Sequence, residues 1–372
     1  MDDKLTESDG PARISRRTVL ASGSVIASTT VFAGCLSGDD GGDGEDGGDG
    51  GSTTRVAIIS SPAGFDDNAF NDNAVQGLEE ASDEFDLEYS TVEETEESQY
   101  ESVQADVAES DYDLIICVGD NHTDPLETNA SEYPDQNWML INNIVEGADN
   151  VSGWIEMNNE MSFLAGVAAG VMTQEDFEYE GSSTDPDGMT VGFVGGEDIP
   201  LINAFEQSYI EGVEWVNEDV EVLTGYGGSF SDTGATNDVA ESQIDDGADI
   251  VWHAASAAGG GVFSAAQDND RFALGVDVDQ SVTEDQYQDV ILGSAVKALN
   301  EATYTVSEAV VNGNFDEYVG EQNLSVEQGS IDFIVGQAFE DELPDALTQN
   351  IEDAKTGFEN DEIDLSCGPT SC

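Results

Sequence analysis

The chain has 372 residues, of which 81 are Asp or Glu and 8 are Lys or Arg, for a formal net charge of −73. That field excludes nucleic acid as a partner. A hydrophobic fraction of 38% excludes a disordered polyanion, which could not bury enough apolar surface to offset chain entropy. An ordinary core beneath so many carboxylates reads as adaptation to molar salt, where the Debye length shrinks to ~3 Å and like-charge repulsion costs little.

Four of the basic residues, Lys4, Arg13, Arg16 and Arg17, precede a softened apolar run over 18–33. A basic start followed by a short apolar segment is a targeting signal. The adjacent arginines of SRRTVL (15–20) resemble a twin-arginine export signal, with Arg16 and Arg17 as its pair. The run is shorter than the ~20 residues of a spanning helix. It ends at FAGC (32–35), similar to a lipobox, so 1–34 reads as a cleaved signal and Cys35 as the lipidation site. Residues 35–53 are an Asp/Gly-rich tract without a calcium-loop spacing and read as a solvated tether. Export, with attachment to the outer face of the cell membrane only through lipid at Cys35, is the expectation.

From residue 54 the pattern alternates. RVAIIS (55–60), DLEYSTVE (86–93), DLIICVGD (113–120) and WMLINN (138–143) read as strands; NAVQGLEEASDEF (73–85), ESQYESVQADVAES (97–110) and 161–174 read as helices. A loop at 181–188 precedes a second series, with strands at MTVGFVGG (189–196), EVLTGYGG (221–228), ADIVWHAA (248–255) and RFALGVD (271–277). Helices fall at 202–217, 236–247 and 260–269. DVILGS and IDFIVG read as further strands, and 295–313 and 341–355 as the last helices. This rhythm predicts an α/β protein of two doubly wound, parallel-sheet lobes with a cleft at the carboxyl ends of the strands. Cys117 lies in an apolar run and reads as core; Cys367 and Cys372 close a small C-terminal loop read as lying outside the folded body, where an oxidising exterior favours a local disulfide.

The strand ends offer Asp66, Asp67, Phe70 and Asn71 after the first strand, Asp120 and His122 after the third, 198–205 after VGFVGG and Asp277 after FALGV. Gly195-Gly196 and the triplet 259–261 match neither dinucleotide nor P-loop spacing and read as close-packing turns. Two histidines are too few for a His-rich metal site, and HExxH, CxxC and GxSxG are absent from the sequence, so no metal or cofactor is expected. Asp66-Asp67 could form an acid/base pair in a hydrolase of nucleosides or glycosides. Lys297 stands out in a chain that has nearly abandoned lysine, and it reads either as a partner of a buried carboxylate or ligand or as a snorkelling surface residue.

Six segments in one order, GFDDNAFNDNAVQGL (64–78), YPDQNWMLIN (133–142), NVSGWIEMNNEMSFLAGVAAGVMTQ (150–174), VGFVGGEDIPLINAFEQSYIEGV (191–213), GVDVDQ (275–280) and VILGSAVKALNEA (290–302), resemble the BMP family, the purine-nucleoside-receptor type of substrate-binding lipoproteins serving ABC importers. The resemblance implies a type I periplasmic-binding-protein fold, with hinge crossovers near 157, 277 and 318. The lobes would then be 54–157 plus 278–318 and 158–277 plus 319–365, with a tail at 366–372. It implies that Asp66, Asp67, Phe70, Asn71, Asp120, Phe205, Asp277 and Lys297 line the cleft of a monomer that captures a nucleoside and hands it to permease subunits. A sugar, a flavin or hydrolysis at Asp66 or Asp67 are the alternatives. WHAASAAGGGV departs from the usual AGxTGxGV of such proteins, with Ala255-Ser256 in place of glycine and threonine.

The charge yields a test. Folded protein in molar KCl is expected to unfold cooperatively as salt falls to tens of millimolar and the Debye length grows toward ~30 Å. Circular dichroism across a KCl titration reads this, and an unchanged spectrum in dilute neutral buffer contradicts it.

Overall fold

The computed structural model describes residues 53–372. The expectations for Arg16, Arg17, Cys35, the signal over 1–34 and the tether up to 52 lie outside the described residues. In lobe 1, β1 (Thr54–Ile59), β2 (Leu87–Val92), β3 (Leu114–Cys117), β4 (Asn137–Ile141) and β5 (Val151–Glu156) form a parallel sheet in the order β5-β4-β3-β1-β2. All four residues of β3 are buried because both faces of the sheet are covered. Helix α1 (Phe70–Glu84) meets Val56, Ile58 and Ile116 on one face; α2 (Tyr100–Ala108) and α3 (Thr123–Glu132) meet Ala57, Ile115 and Cys117 on the other.

Lobe 2 starts with α4 (Asn158–Met172) and a short hairpin of β6 (Glu178–Tyr179) and β7 (Ser182–Ser183). It continues through β8 (Thr190–Gly195), α5 (Pro200–Val216), β9 (Glu221–Tyr226), α6 (Thr233–Asp245), β10 (Ile250–Ala254), α7 (Gly260–Asp268), β11 (Phe272–Asp277), α8 (Gln280–Thr283) and β12 (Ile291–Lys297). Its sheet order is β9-β8-β10-β11-β12, the same winding as lobe 1. The chain then returns: α9 (Leu299–Asn312) packs on α1, and β13 (Gly320–Leu324) pairs in parallel with β5. Finally β14 (Ile331–Val335) joins β12 antiparallel, and α10 (Asp345–Glu359) covers α4.

The lobes therefore exchange chain at Met157, at Ala298 and over 325–330. The exchanges expected near 277 and 318 fall elsewhere. Strand β12 pairs with β11 as far as Val296, which holds 291–297 in lobe 2, and β13 carries the chain six residues further in lobe 1. Lys297 consequently ends a strand rather than lying in a helix begun at 295. Four strands and two helices escaped the sequence pattern: β6, β7 and α8 are only two to four residues long, β13 is the polar GEQNL, β5 contains a glycine, and α3 opens TDPLE, with a proline that only a first turn tolerates.

The C-terminal loop is also relocated. Cys367 and Cys372 are disulfide-bonded, Cys367 is buried, and the loop docks on lobe 2 rather than lying outside the body. The Cys372 N–H donates to the Pro200 carbonyl at 3.2 Å, and Asn159 Nδ2 donates to the Cys367 carbonyl at 3.1 Å. Among the described residues no helix is long and apolar enough to cross a membrane.

Lobe 2 depends on a glycine contact. A Cβ on Gly166 of α4 would run into the Tyr209 carbonyl of α5, and one on Gly212 into the Phe163 carbonyl, so the two helices touch backbone to backbone. Gly166→Val should cost at least ~1–3 kcal/mol by overpacking. A thermal melt in molar KCl checks it, and an unshifted midpoint contradicts the helix contact.

Candidate functional site

Parallel strands aim their carboxyl ends at a shared crevice, and ligands of open α/β sheets sit there. Here that crevice is a cleft of about 580 Å³, counting its open mouth. Lobe 1 contributes Ser61, Asp120 and Asn142, each just past a strand end, and Phe70 at the start of α1; lobe 2 contributes Leu201, Ile202, Phe205, Phe230, Ala255, Ser256, Val276, Asp277 and Lys297.

Three phenylalanines give the cleft its aromatic faces. Phe70 opens α1 and carries the Lys297 ammonium 4.6 Å above its ring. Phe205 is 5% exposed and lies nearly parallel to Trp252, with ring centroids 6.2 Å apart. Phe230, which the strand-end reading missed, has no aromatic partner among the described residues. Its backbone is pinned by the Ala258 N–H at 2.9 Å and by the Ser229 N–H bonded to Gly196 at 3.0 Å. Its ring rests on Gly196, where a Cβ would strike it. The glycine pair 195–196 was the signal that could have located it.

The FDD segment is divided. Asp66 is exposed, at φ 62°, outside the cleft lining. Asp67 is buried, and its carboxylate accepts the N–H groups of Ala69, Asn71 and Asp72 at 3.0–3.1 Å, which holds the first turn of α1. It also accepts from Ser256 Oγ of lobe 2 at 2.8 Å, so it bridges the lobes. Asn71 is buried between Ser61 and Asp67, with Nδ2 donating to both. Of the four residues carried over from this segment, only Phe70 lines the cleft; Asp67 and Asn71 build the wall beneath it. Asp120 does line it, and burial raises its carboxyl above the usual range, opposed by backbone N–H groups. Burial also lowers His122 and His253 to about 4, so both are neutral at ordinary pH. His122 bonds the Ser60 carbonyl and stacks on Tyr100, a structural post.

At the floor of the cleft Lys297 is not free. Its ammonium lies 3.0 Å from Glu156 Oε2, 3.1 Å from Asp277 Oδ1 and 3.1 Å from Asn158 Oδ1, all buried. Glu156 and Asn158 flank the Met157 exchange, while Lys297 precedes the exchange at Ala298. The cluster therefore clamps two of the three hinge strands. Asn73 of α1 adds to it by donating to the Lys297 carbonyl at 2.9 Å. Burial pushes the Glu156 carboxyl up to about 7 against the pull of Lys297, and it raises Asp277 too. Burial alone would lower Lys297, but Asp277 and Glu156 outweigh it and keep the ammonium charged. Glu156 was missed because nothing in WIEMNNE marks it among the chain's many carboxylates; its place at a strand end beside a hinge was the only signal.

Two wound lobes with an aromatic cleft and a clamped hinge define a solute-binding protein. Comparison places it more closely: residues 54–364 match the family described as Bmp, ABC transporter substrate-binding protein PnrA-like, and the chain belongs to that family. It is 26% identical to the ABC transporter nucleoside-binding protein BmpA of Lactococcus lactis, covering 81% of this chain and 86% of that one. It is 30% identical to an uncharacterised lipoprotein of Pyrococcus horikoshii, covering 79% and 71%. A solved ABC solute-binding protein from Aeropyrum pernix superposes with a TM-score of 0.73 at 24% identity over 84% of this chain and 92% of that one. The fold is accordingly the type I fold of periplasmic binding proteins.

Lys297→Met should damage the hinge itself, since it leaves Glu156 and Asp277 buried without their cation, at a cost of ~3–5 kcal/mol near pH 7. Both carboxyls of the variant would be raised in the folded state, so acidification should return part of that stability as they protonate. Thermal melts in molar KCl at pH 5 and pH 7 test this, and a variant as stable as wild type at pH 7 contradicts the clamp.

Proposed function

We propose that the protein is an extracytoplasmic receptor that closes on a nucleoside, a purine nucleoside first, and delivers it to the permease of an ABC importer. The observation that carries this is an aromatic face from each lobe, Phe70 opposite Phe205 and Phe230, with polar groups at the edges in Asp120, Asn142 and Asp277. Base stacking on such faces is worth ~1–3 kcal/mol per base. The cleft's one cation, Lys297, is engaged by two carboxylates, and the chain's field repels anions, so a neutral nucleoside suits the site better than a nucleotide. The Lactococcus relative named as nucleoside-binding supports the same reading.

The hydrolase alternative loses its candidates: Asp66 faces solvent and Asp67 is saturated by backbone donors. The reading is therefore capture without catalysis by a monomer, exported through Arg16-Arg17 and held by lipid at Cys35. The lipoprotein named in Pyrococcus horikoshii supports the anchoring.

Calorimetric titration in molar KCl tests the aromatic clamp. Phe70→Leu and Phe230→Leu keep apolar bulk and lose the π face, so each should weaken ribonucleoside binding ~5–100-fold; the melting midpoint should barely move in Phe230→Leu and should fall in Phe70→Leu, which also loses the Lys297 contact. Wild-type affinity in both variants would refute the clamp.

A further inference from the structure

Building on the nucleoside reading, we propose that Glu156 is a positioning residue for Lys297: solute binding draws one proton from solvent onto the Glu156 carboxyl, releasing a Lys297 N–H to the ligand. An alkylammonium has three N–H donors, and Lys297 has three oxygens at 3.0–3.1 Å, one each from Glu156, Asp277 and Asn158. Yet Lys297 lines the cleft. A ligand acceptor reaches the ammonium only when one of those oxygens lets go.

Asn158 is fixed, because its Nδ2 donates to Asn142 Oδ1 at 3.0 Å and its carbonyl accepts from Ser162 Oγ at 2.6 Å. Asp277 itself faces the cleft and is the carboxylate a ligand hydroxyl would meet. Glu156 remains: it is wholly buried, its Oε1 makes no hydrogen bond of good geometry although the Asn142 amide lies near the carboxyl, and with both acids ionised the cluster carries one uncompensated negative charge. Protonation of Oε1 removes that charge and weakens the hold of Glu156 on Lys297.

Its titration lies within reach, near 7 in the unliganded protein, with burial as the main cause. The groups facing it are Lys297 from β12 and Asp277 from β11, with Asp67 from the loop before α1 acting on Asp277. Asp120 lies across the cleft, and His122 and His253 are already neutral above about 4. Because the bound form holds the proton more tightly than the free form, the association constant should be nearly flat below about pH 6 and fall by up to about tenfold per unit above pH 7.

Titration of the full chain with inosine in molar KCl, from pH 6 to pH 8, where the base stays largely neutral, and in buffers of different ionisation enthalpy, reads both affinity and protons. About one proton taken up per inosine at pH 8 is expected. Glu156→Gln should bind at pH 8 as wild type does at pH 6, without pH dependence. Binding with no proton uptake in wild type, or uptake that persists in Glu156→Gln, overturns the inference alone. If the variant does not fold, the wild-type buffer series still decides. Absence of inosine binding at every pH overturns the nucleoside reading and this inference with it.

Discussion

One buried ammonium organises the molecule. Lys297 ends β12 at the point where the chain leaves lobe 2, and its partners Glu156 and Asn158 sit where the chain first enters that lobe. Breaking such a buried pair by removing one partner strands a charge and costs ~3–5 kcal/mol, far more than any surface ion pair contributes. Two hinge strands are thereby held to one spot at the cleft floor, and the Phe70 ring rests against the same ammonium. Lobe geometry, aromatic wall and hinge thus share one electrostatic anchor.

The rest of the charge distribution fits that economy. The body keeps four basic residues, and each is placed where the fold needs it. Arg55 donates to the Asp111 carbonyl at 2.7 Å with its guanidinium over Tyr112, and Arg271 donates to the Ser183 carbonyl at 2.9 Å. Lys355 of α10 pairs with Asp332 of β14 at 2.9 Å. Against the 71 acids of residues 53–372 these few contacts offset little of the negative charge. An anion in the cleft would meet both that field and a cation already taken.

Much of this was legible in the residues. Buried apolar runs such as RVAIIS and LIICV declare parallel strands, because both sheet faces are covered and no polar alternation is needed. The rarity of lysine singled out Lys297, and the residues after the strand ends pointed to one cleft. What stayed hidden depended on pairing across long sequence separations. β13 is a strand only because β5 offers it an edge, and Glu156 matters only because Lys297 stands 141 residues away. Asp66 and Asp67 look alike in sequence, yet one faces water and the other caps α1 and reaches Ser256 across the cleft. Phe230 was hidden because its position follows from Gly196 rather than from its own neighbours.

The central claim is that this cleft captures an intact neutral nucleoside. Native mass spectrometry of protein purified throughout in molar salt, exchanged into a volatile salt only at the last step, reads the occupant directly. The account predicts an added mass matching an intact nucleoside that leaves unchanged on denaturation. An occupant that is a sugar or a nucleotide, or free base and ribose recovered from added nucleoside, would contradict it.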